Sequence, residues 1–307
     1  MSKVTELSKA YQYCQQLAQQ HYENFPVASY LLPSQLRKPI SVIYAFARTA
    51  DDIADEGNEN EQARLTALND YQQQLIEIEN KTFQGQNPLF TALNDVIRNH
   101  NLSVGLFKDL LIAFKQDVQQ QRYQTESAVL DYCHYSANPI GRLVLQLYGM
   151  PSQQQLLQSD AICTALQLVN FTQDIQQDWQ ENNRIYLPMV ELQQAGLSEQ
   201  DLNDLNSSKY ADIIRKQYEK SRTLFVQGFE LASQLHGRLG WEIRTITLTG
   251  ILVLKQLSSQ DNQNLYSRPR LSKLQLFTHA IIALSPIVYR YYCQNYLNKV
   301  ADDNALA

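Results

Sequence analysis

Apolar positions recur along this chain at three- and four-residue spacing, and no stretch alternates residue by residue as a strand would. The period predicts a first helix over about 4–22, followed by an extended "FPVASYLLP" (25–33). A second helix is predicted from near Pro39 to Glu56, stopped by Gly57, with others near 60–82, 87–100, 103–123 and 127–149. A long helix begins near Ser152 and ends before "NRIYLP" (183–188), where Pro188 marks the exit. A short helix near 198–204, long ones over 208–236 and 239–258, and a last one from about 271 to 298 complete the pattern. The loops are short, and no tandem repeat or biased linker divides the chain. The expected architecture is all-α: a single-domain helical bundle over 1–307, with its core at about 4–298 and a short tail beyond.

Composition supports helices. Hydrophobic residues make up 44% of 307 positions, enough for a sizeable core, while Gly (10) and Pro (9), the residues that interrupt helices, are few. The net charge of −5 argues against nucleic acid as a partner, because binding it needs a basic face. Cys14, Cys133, Cys163 and Cys293 form no CxxC pair and read as reduced thiols. The N-terminal segment lacks the apolar run of a signal peptide, so the expected location is cytoplasmic. The stretch "LFTHAIIALSPIVYRYYC" (276–293) is interrupted by His279, Pro286 and Arg290, too broken to span a bilayer, and is expected to be a core helix rather than an interfacial one.

Two segments depart from ordinary helix design. "YAFARTADDIADEG" (44–57) places Asp51 and Asp55 one turn apart, and "NFTQDIQQDW" (170–179) does the same with Asp174 and Asp178. Like charges at this spacing destabilise a helix by roughly 0.2–0.5 kcal/mol. An acidic pair is usually a solvated face. Here the neighbours are small or apolar, and carboxylates in such surroundings need a cation or hydrogen-bond donors. Oxygen-only ligands suit Mg²⁺, which takes one or two carboxylates plus phosphate oxygens. Arg48 can share a face with Asp51, and Gln167 and Asn170 fall on one stripe with Asp174. Two acidic helices facing each other across a bundle would cage Mg²⁺ and a diphosphate.

These residues resemble the squalene/phytoene synthase family, the head-to-head isoprenoid synthases. The match runs from "NFPVASYLLP" to "YSRPRLSK". It includes Arg48 with Asp51 and Asp55, then Tyr132-Cys133 and Ala137, and Gln167, Asn170, Asp174 and Asp178 followed by Arg184, Tyr186 and Pro188. "SANPIG" (136–141) and "FARTADDIADEG" resemble the bacterial hydroxysqualene synthase subgroup of hopanoid biosynthesis. The resemblance implies a bundle with a central apolar cavity and a diphosphate site at its mouth. The implied activity is Mg²⁺-dependent ionisation of presqualene diphosphate, rearrangement of the cation, and capture by water. The four aspartates would hold Mg²⁺, and Arg48, Arg184 and Arg268 would bind phosphate oxygens. Tyr186 falls in the same motif; Tyr132, Phe46 and Phe171 would line the cavity and face the cation. Asn138, with Gln167 or Asn170, would orient the water.

Simpler roles stand beside these: Arg184 could pair with Glu181, and Asn138-Pro139 could be a helix start alone. His134, Trp179 and Trp241 are expected to be structural. The alternative activity is condensation of two prenyl diphosphates, to presqualene diphosphate, squalene or phytoene. A non-catalytic assembly factor of the same fold ranks low, because all four aspartates are present. An apolar product adds an optional peripheral contact with the inner membrane. Oligomeric state is not readable.

Overall fold

The computed structural model describes residues 3–20, 34–149, 151–203, 208–260 and 269–304. The predicted extended stretch 25–33 and Arg268 lie outside these residues. The fold is all-α: among the described residues the single β-type pairing is an isolated parallel bridge between Arg122 and Ile185. The helices group into two compact units, one from Met1–Gln120 with Pro139–Pro151, the other from Gln121–Asn138 with Ser152–Ala307.

The first unit contains α1 (Lys3–Gln20), α2 (Ser34–Asp55), α3 (Glu61–Glu79), α4 (Pro88–His100) and α5 (Val104–Gln119), with most of α7 (Asn138–Tyr148). Helix α2 packs against α1, α3, α4 and α5. Its buried positions Leu36, Ile40, Ile43, Phe46, Ala50 and Ala54 follow the 3.6-residue period. It starts at Ser34, earlier than the sequence suggests, and Pro39 lies inside it.

The second unit contains α6 (Glu126–Ser136), α8 (Gln153–Gln173), α9 (Ile175–Asn182), α10 (Met189–Gln194), a 3₁₀ turn (Glu199–Asn203), α11 (Ser208–Gly228), α12 (Glu230–Gln234), α13 (Gly237–Ser258), α14 (Lys273–Ile282) and α15 (Pro286–Asn304). Helix α8 lies along α11, and α13 contacts α8, α11, α12, α14 and α15.

Four helices expected to be continuous are broken. Helices α6 and α7 part at Ala137, just before Pro139, and α14 and α15 part before Pro286. Proline has no N–H for the preceding turn, so it is accommodated at a helix start. At the α11–α12 break the Phe229 carbonyl accepts a hydrogen bond from the Tyr289 hydroxyl (2.9 Å). The fourth break falls on Asp174. The last apolar segment differs most from expectation: it is a helical hairpin whose outward residues Leu274, Phe277, Leu284 and Ile287 are exposed. No helix among the described residues is long and apolar enough to cross a membrane.

Candidate functional site

In the first unit, the acidic motif occupies the last turns of α2. Arg48 Nη1 lies 3.3 Å from Asp51 Oδ2, and Nη2 lies 2.6 Å from Asp52 Oδ1 and also pairs with Glu56 Oε1. One guanidinium therefore serves three carboxylates, and exposed Asp55 adds another negative charge one turn beyond Asp51. The carbonyl end of a helix itself carries roughly half a negative elementary charge. Arg64 on α3 offsets part of it, donating from Nη1 to Ile53 O (2.9 Å), from Nη2 to Gly57 O (3.0 Å) and from Nε to Glu59 O (3.0 Å). Gly57, at φ +84°, turns the chain out of the helix through a region that side chains disfavour. Arg48, expected to face phosphate, is turned onto the acids of its own helix. Phe46 departs from its expected place in a substrate cavity. It is fully buried, and the rings of Tyr71, Phe90 and Phe107 pack around it at 5.9, 6.0 and 5.2 Å, so its surface is used by the core.

In the second unit, Asp174 closes α8 and opens α9. Its backbone leaves helical geometry (φ −111°, ψ 12°), yet its N–H donates to Asn170 O (2.9 Å) and its carbonyl accepts from Asp178 N–H (2.8 Å). The two aspartates thus remain one turn apart across a bend. Gln167 and Asn170 lie on the preceding turns of α8, Gln167 half-buried and Asn170 exposed. Among the described residues neither amide side chain has a hydrogen-bond partner. Asn183, in the left-handed region at φ 52°, ends α9, and the Arg184 N–H returns to Asp178 O (2.9 Å). That bond sets Arg184 beside the second aspartate. The Asp174 side of the bend meets the residue after Arg268: Gln173 Nε2 donates to Pro269 O (3.1 Å).

The segment after Arg184 is pinned by backbone bonds from Ile185 N to Gln121 O (3.0 Å), Met189 N to Tyr123 O (2.9 Å) and Val190 N to Gln124 O (3.1 Å). Tyr186 therefore stacks on Phe171, ring centroids 3.7 Å apart and nearly coplanar, with Tyr132 and Tyr123 at 5.6 and 5.5 Å from it. Tyr132 and Phe171 are almost closed from solvent. Phe171, Ile175, Asp178, Arg184, Tyr186 and Leu202 line a small cleft. It sets one carboxylate and one guanidinium beside an aromatic wall. Asn138 opens α7, as the helix-start reading expects, and its buried Oδ1 accepts from Thr164 Oγ1 (2.9 Å), leaving Nδ2 as its remaining donor group.

The donor set suits a hard cation. Each motif offers carboxylate oxygens and no nitrogen or sulfur ligand, and Mg²⁺ bound this way fills its remaining positions with water and phosphate. Among the described residues no three His, Cys, Asp or Glu side chains converge to enclose an ion by themselves. The aspartates thus fit Mg²⁺ bound together with an oxyanion.

Sequence reasoning missed Arg122. Its Nε and Nη2 bind the two carboxylate oxygens of Glu199, each at 2.8 Å, and it also donates to Asn183 O and Asn183 Oδ1 (2.9 Å). It packs on the Trp179 ring at 5.1 Å. This pairing holds the Glu199 carboxyl below the usual carboxylate range. Arg122 clamps the turn that delivers Arg184, and nothing in its polar sequence context signals that.

Comparison with known proteins places these features in context. The sequence profile of a family described as squalene/phytoene synthase matches residues 18–275. A hydroxysqualene synthase from Zymomonas mobilis is 35% identical over 229 residues, 73% of this chain and 75% of that protein. Another, from Sinorhizobium fredii, is 34% identical over 267 residues, 86% of this chain and 88% of that protein. Among solved structures, the squalene synthase HpnC of Alicyclobacillus acidocaldarius gives a TM-score of 0.75 at 33% identity, covering 82% of this chain and 94% of that one.

Proposed function

The chain belongs to the squalene/phytoene synthase family, and from that premise we propose that it converts presqualene diphosphate and water to hydroxysqualene and diphosphate. The observation that carries this reading is the 35% and 34% identity to hydroxysqualene synthases over most of the chain. The family works on prenyl diphosphates, so the step common to every member is heterolysis of a carbon–oxygen bond, its electron pair leaving with diphosphate. The rearranged cation then gains the oxygen of water, which gives up one proton.

Each step makes a demand on this chain. Asp51, Asp55, Asp174 and Asp178 are the residues to hold Mg²⁺, which when bound supplies Lewis-acid stabilisation of the departing charge. Arg184, beside Asp178 in the cleft, and Arg48, now paired with acids of its own segment, would bind phosphate oxygens, and Arg268 remains a sequence-based candidate. The rings of Tyr132 and Phe171 would exclude water and face a cation, with Tyr186 stacked between Phe171 and Tyr123 to hold them. Asn138 Nδ2 is the donor proposed to orient the attacking water, with Gln167 or Asn170 assisting. The alcohol product is apolar, so the proposal includes a cytoplasmic enzyme with peripheral membrane contact for release.

The test is incubation of purified protein and Mg²⁺, without NADPH, with presqualene diphosphate or farnesyl diphosphate, and product identification by mass spectrometry. Hydroxysqualene from presqualene diphosphate alone is the expected result. A condensed product from farnesyl diphosphate would replace this reading with that of a condensing synthase.

A further inference from the structure

We propose that the α14–α15 hairpin is a docking surface for an anionic lipid bilayer. Helix α14 is built inside out. His279 and Ala283 face inward, whereas Leu274, Phe277, Ile281 and Leu284 are 73, 64, 50 and 65% exposed. At 100° per residue the three on α14, Leu274, Phe277 and Ile281, fall within about 60° of arc and form one face, and Leu284 follows in the turn after it. Ile287 and Tyr291, 82 and 67% exposed, extend the apolar exposure onto α15. A globular helix turns such a stripe to the core, and a contiguous exposed apolar face of this kind marks an interaction site.

The inward face is fixed. His279 Nδ1 donates to Gln275 O (2.7 Å), and its ring meets Tyr292 edge-on at 5.8 Å. From α13, Trp241 Nε1 donates to Ala280 O (2.7 Å) and Arg244 Nε to Ala283 O (2.6 Å). Rolling α14 to hide its leucines would break all of these.

Charge selects the occupant. The chain carries a net −5, yet residues 262–301 contain Arg268, Arg270, Lys273, Arg290 and Lys299 and no Asp or Glu. Arg270 is exposed ahead of α14 and Lys273 at its first position, while Arg290 pairs with Glu230 (2.8 Å). Apolar side chains that enter the acyl boundary, flanked by cations for anionic headgroups and by a tyrosine at the boundary, are the chemistry of a surface-lying element. A second copy of the chain fits less well, because a two-fold contact would set this basic stretch against itself. The inference draws on the proposed reaction only for the use of a bilayer as product sink; the surface itself rests on exposure and charge.

Co-sedimentation of the full chain, without substrate, with phosphatidylglycerol/phosphatidylethanolamine vesicles and with phosphatidylcholine vesicles tests it. The expected result is salt-sensitive binding to the anionic vesicles. The double variant Phe277→Glu/Ile287→Glu should lower the partition coefficient by at least about tenfold, with unchanged circular dichroism and unchanged turnover of presqualene diphosphate in detergent. Absence of wild-type binding, or equal binding by the variant, overturns the proposal. So does light scattering that shows a dimer which the variant dissolves. A protein that binds vesicles but turns over no presqualene diphosphate would sink the proposed reaction and leave this surface standing.

Discussion

Replacing Arg244 by Met should destabilise the second unit by about 3–5 kcal/mol, the range for breaking a buried charged network. Arg244 is 3% exposed, and burial holds its guanidinium below the ordinary arginine range. It donates to backbone carbonyls: Nε to Ala283 O (2.6 Å), Nη1 to Ala232 O (2.9 Å) and to Leu235 O (3.1 Å). Ala283 and Leu235 cap the carboxyl ends of α14 and α12, where a cation is favoured. A hydrogen bond to a charged group contributes roughly 1.5–3 kcal/mol, and each buried carbonyl left without a donor costs about 1–3 kcal/mol. Met restores part of the packing and removes the desolvation penalty of the charge, which brings the net loss into the stated range. The chain's two tryptophans, Trp179 and Trp241, both lie in the second unit, so tryptophan fluorescence during urea unfolding reports on that unit. Arg244→Lys should fall between wild type and Arg244→Met, since one ammonium cannot span three carbonyls in this fork. A loss below about 1 kcal/mol for Arg244→Met, the size of one ordinary hydrogen bond, would refute the reasoning.

Other outcomes follow from single features. Gly240→Ala should unfold the same region, because its Cβ would sit 2.0 Å from Leu235 O and 2.9 Å from Arg244 Nη1; thermal unfolding followed by fluorescence checks this. Burial pushes the Glu242 carboxyl up to about 7 from 4.5, so the folded state binds its proton more tightly and stability is lost as pH rises through that window. Glu242→Gln should remove that loss, worth up to about 3 kcal/mol at pH 8, and change little at pH 4 when urea midpoints are compared. Arg122→Met should raise KM and lower kcat together by about tenfold, since misplacing the turn that carries Arg184 weakens positioning, with circular dichroism unchanged; an unaltered KM would remove Arg122 from this role. Asp55→Asn and Asp174→Asn should each lower steady-state turnover at least about 100-fold, and Asp55→Asn should leave the melting temperature equal or higher.

What the sequence discloses here depends on range. Helix identity is local, and the apolar period finds α4 and α13 nearly to their ends and α2 at its carboxyl end, though it misses the first turn of α2. The breaks are less visible because the period runs straight through Pro139 and Pro286, and at Asp174 no proline or glycine announces the bend. Helix α10 is too short, at 6 residues, for any period to register. The two acidic pairs are legible because their oddity is a spacing. The clamp on Arg184 is not, because Arg122 and Glu199 stand 77 residues apart and look like ordinary surface charges until the chain folds. Helix α14 shows a further limit. Its apolar stripe is plain in the sequence, but which side faces the core depends on α13, whose Trp241 and Arg244 bind the α14 backbone and turn the leucines outward.

The acidic pairs make sense as stability given up for chemistry. Asp51 and Asp55 sit in the last turns of α2, so two of the four proposed metal aspartates stand at the negative end of a helix, while Asp174 both ends α8 and opens α9. Each such placement is unfavourable by about 0.3–1 kcal/mol, in addition to repulsion between neighbours one turn apart. Arg48 and Arg64 offset this locally in the first unit, yet a chain optimised for stability would carry Lys or Arg at these helix ends. Asp178 differs, since it lies in the first turn of α9 where a negative charge is welcome. The same field that penalises these carboxylates strengthens their attraction for a divalent cation, so removing one charge should relieve the fold and weaken the metal in a single step. That opposition of signs separates a metal-binding role from a structural one: an aspartate kept for folding would lose stability on conversion to asparagine, whereas Asp55 should gain it.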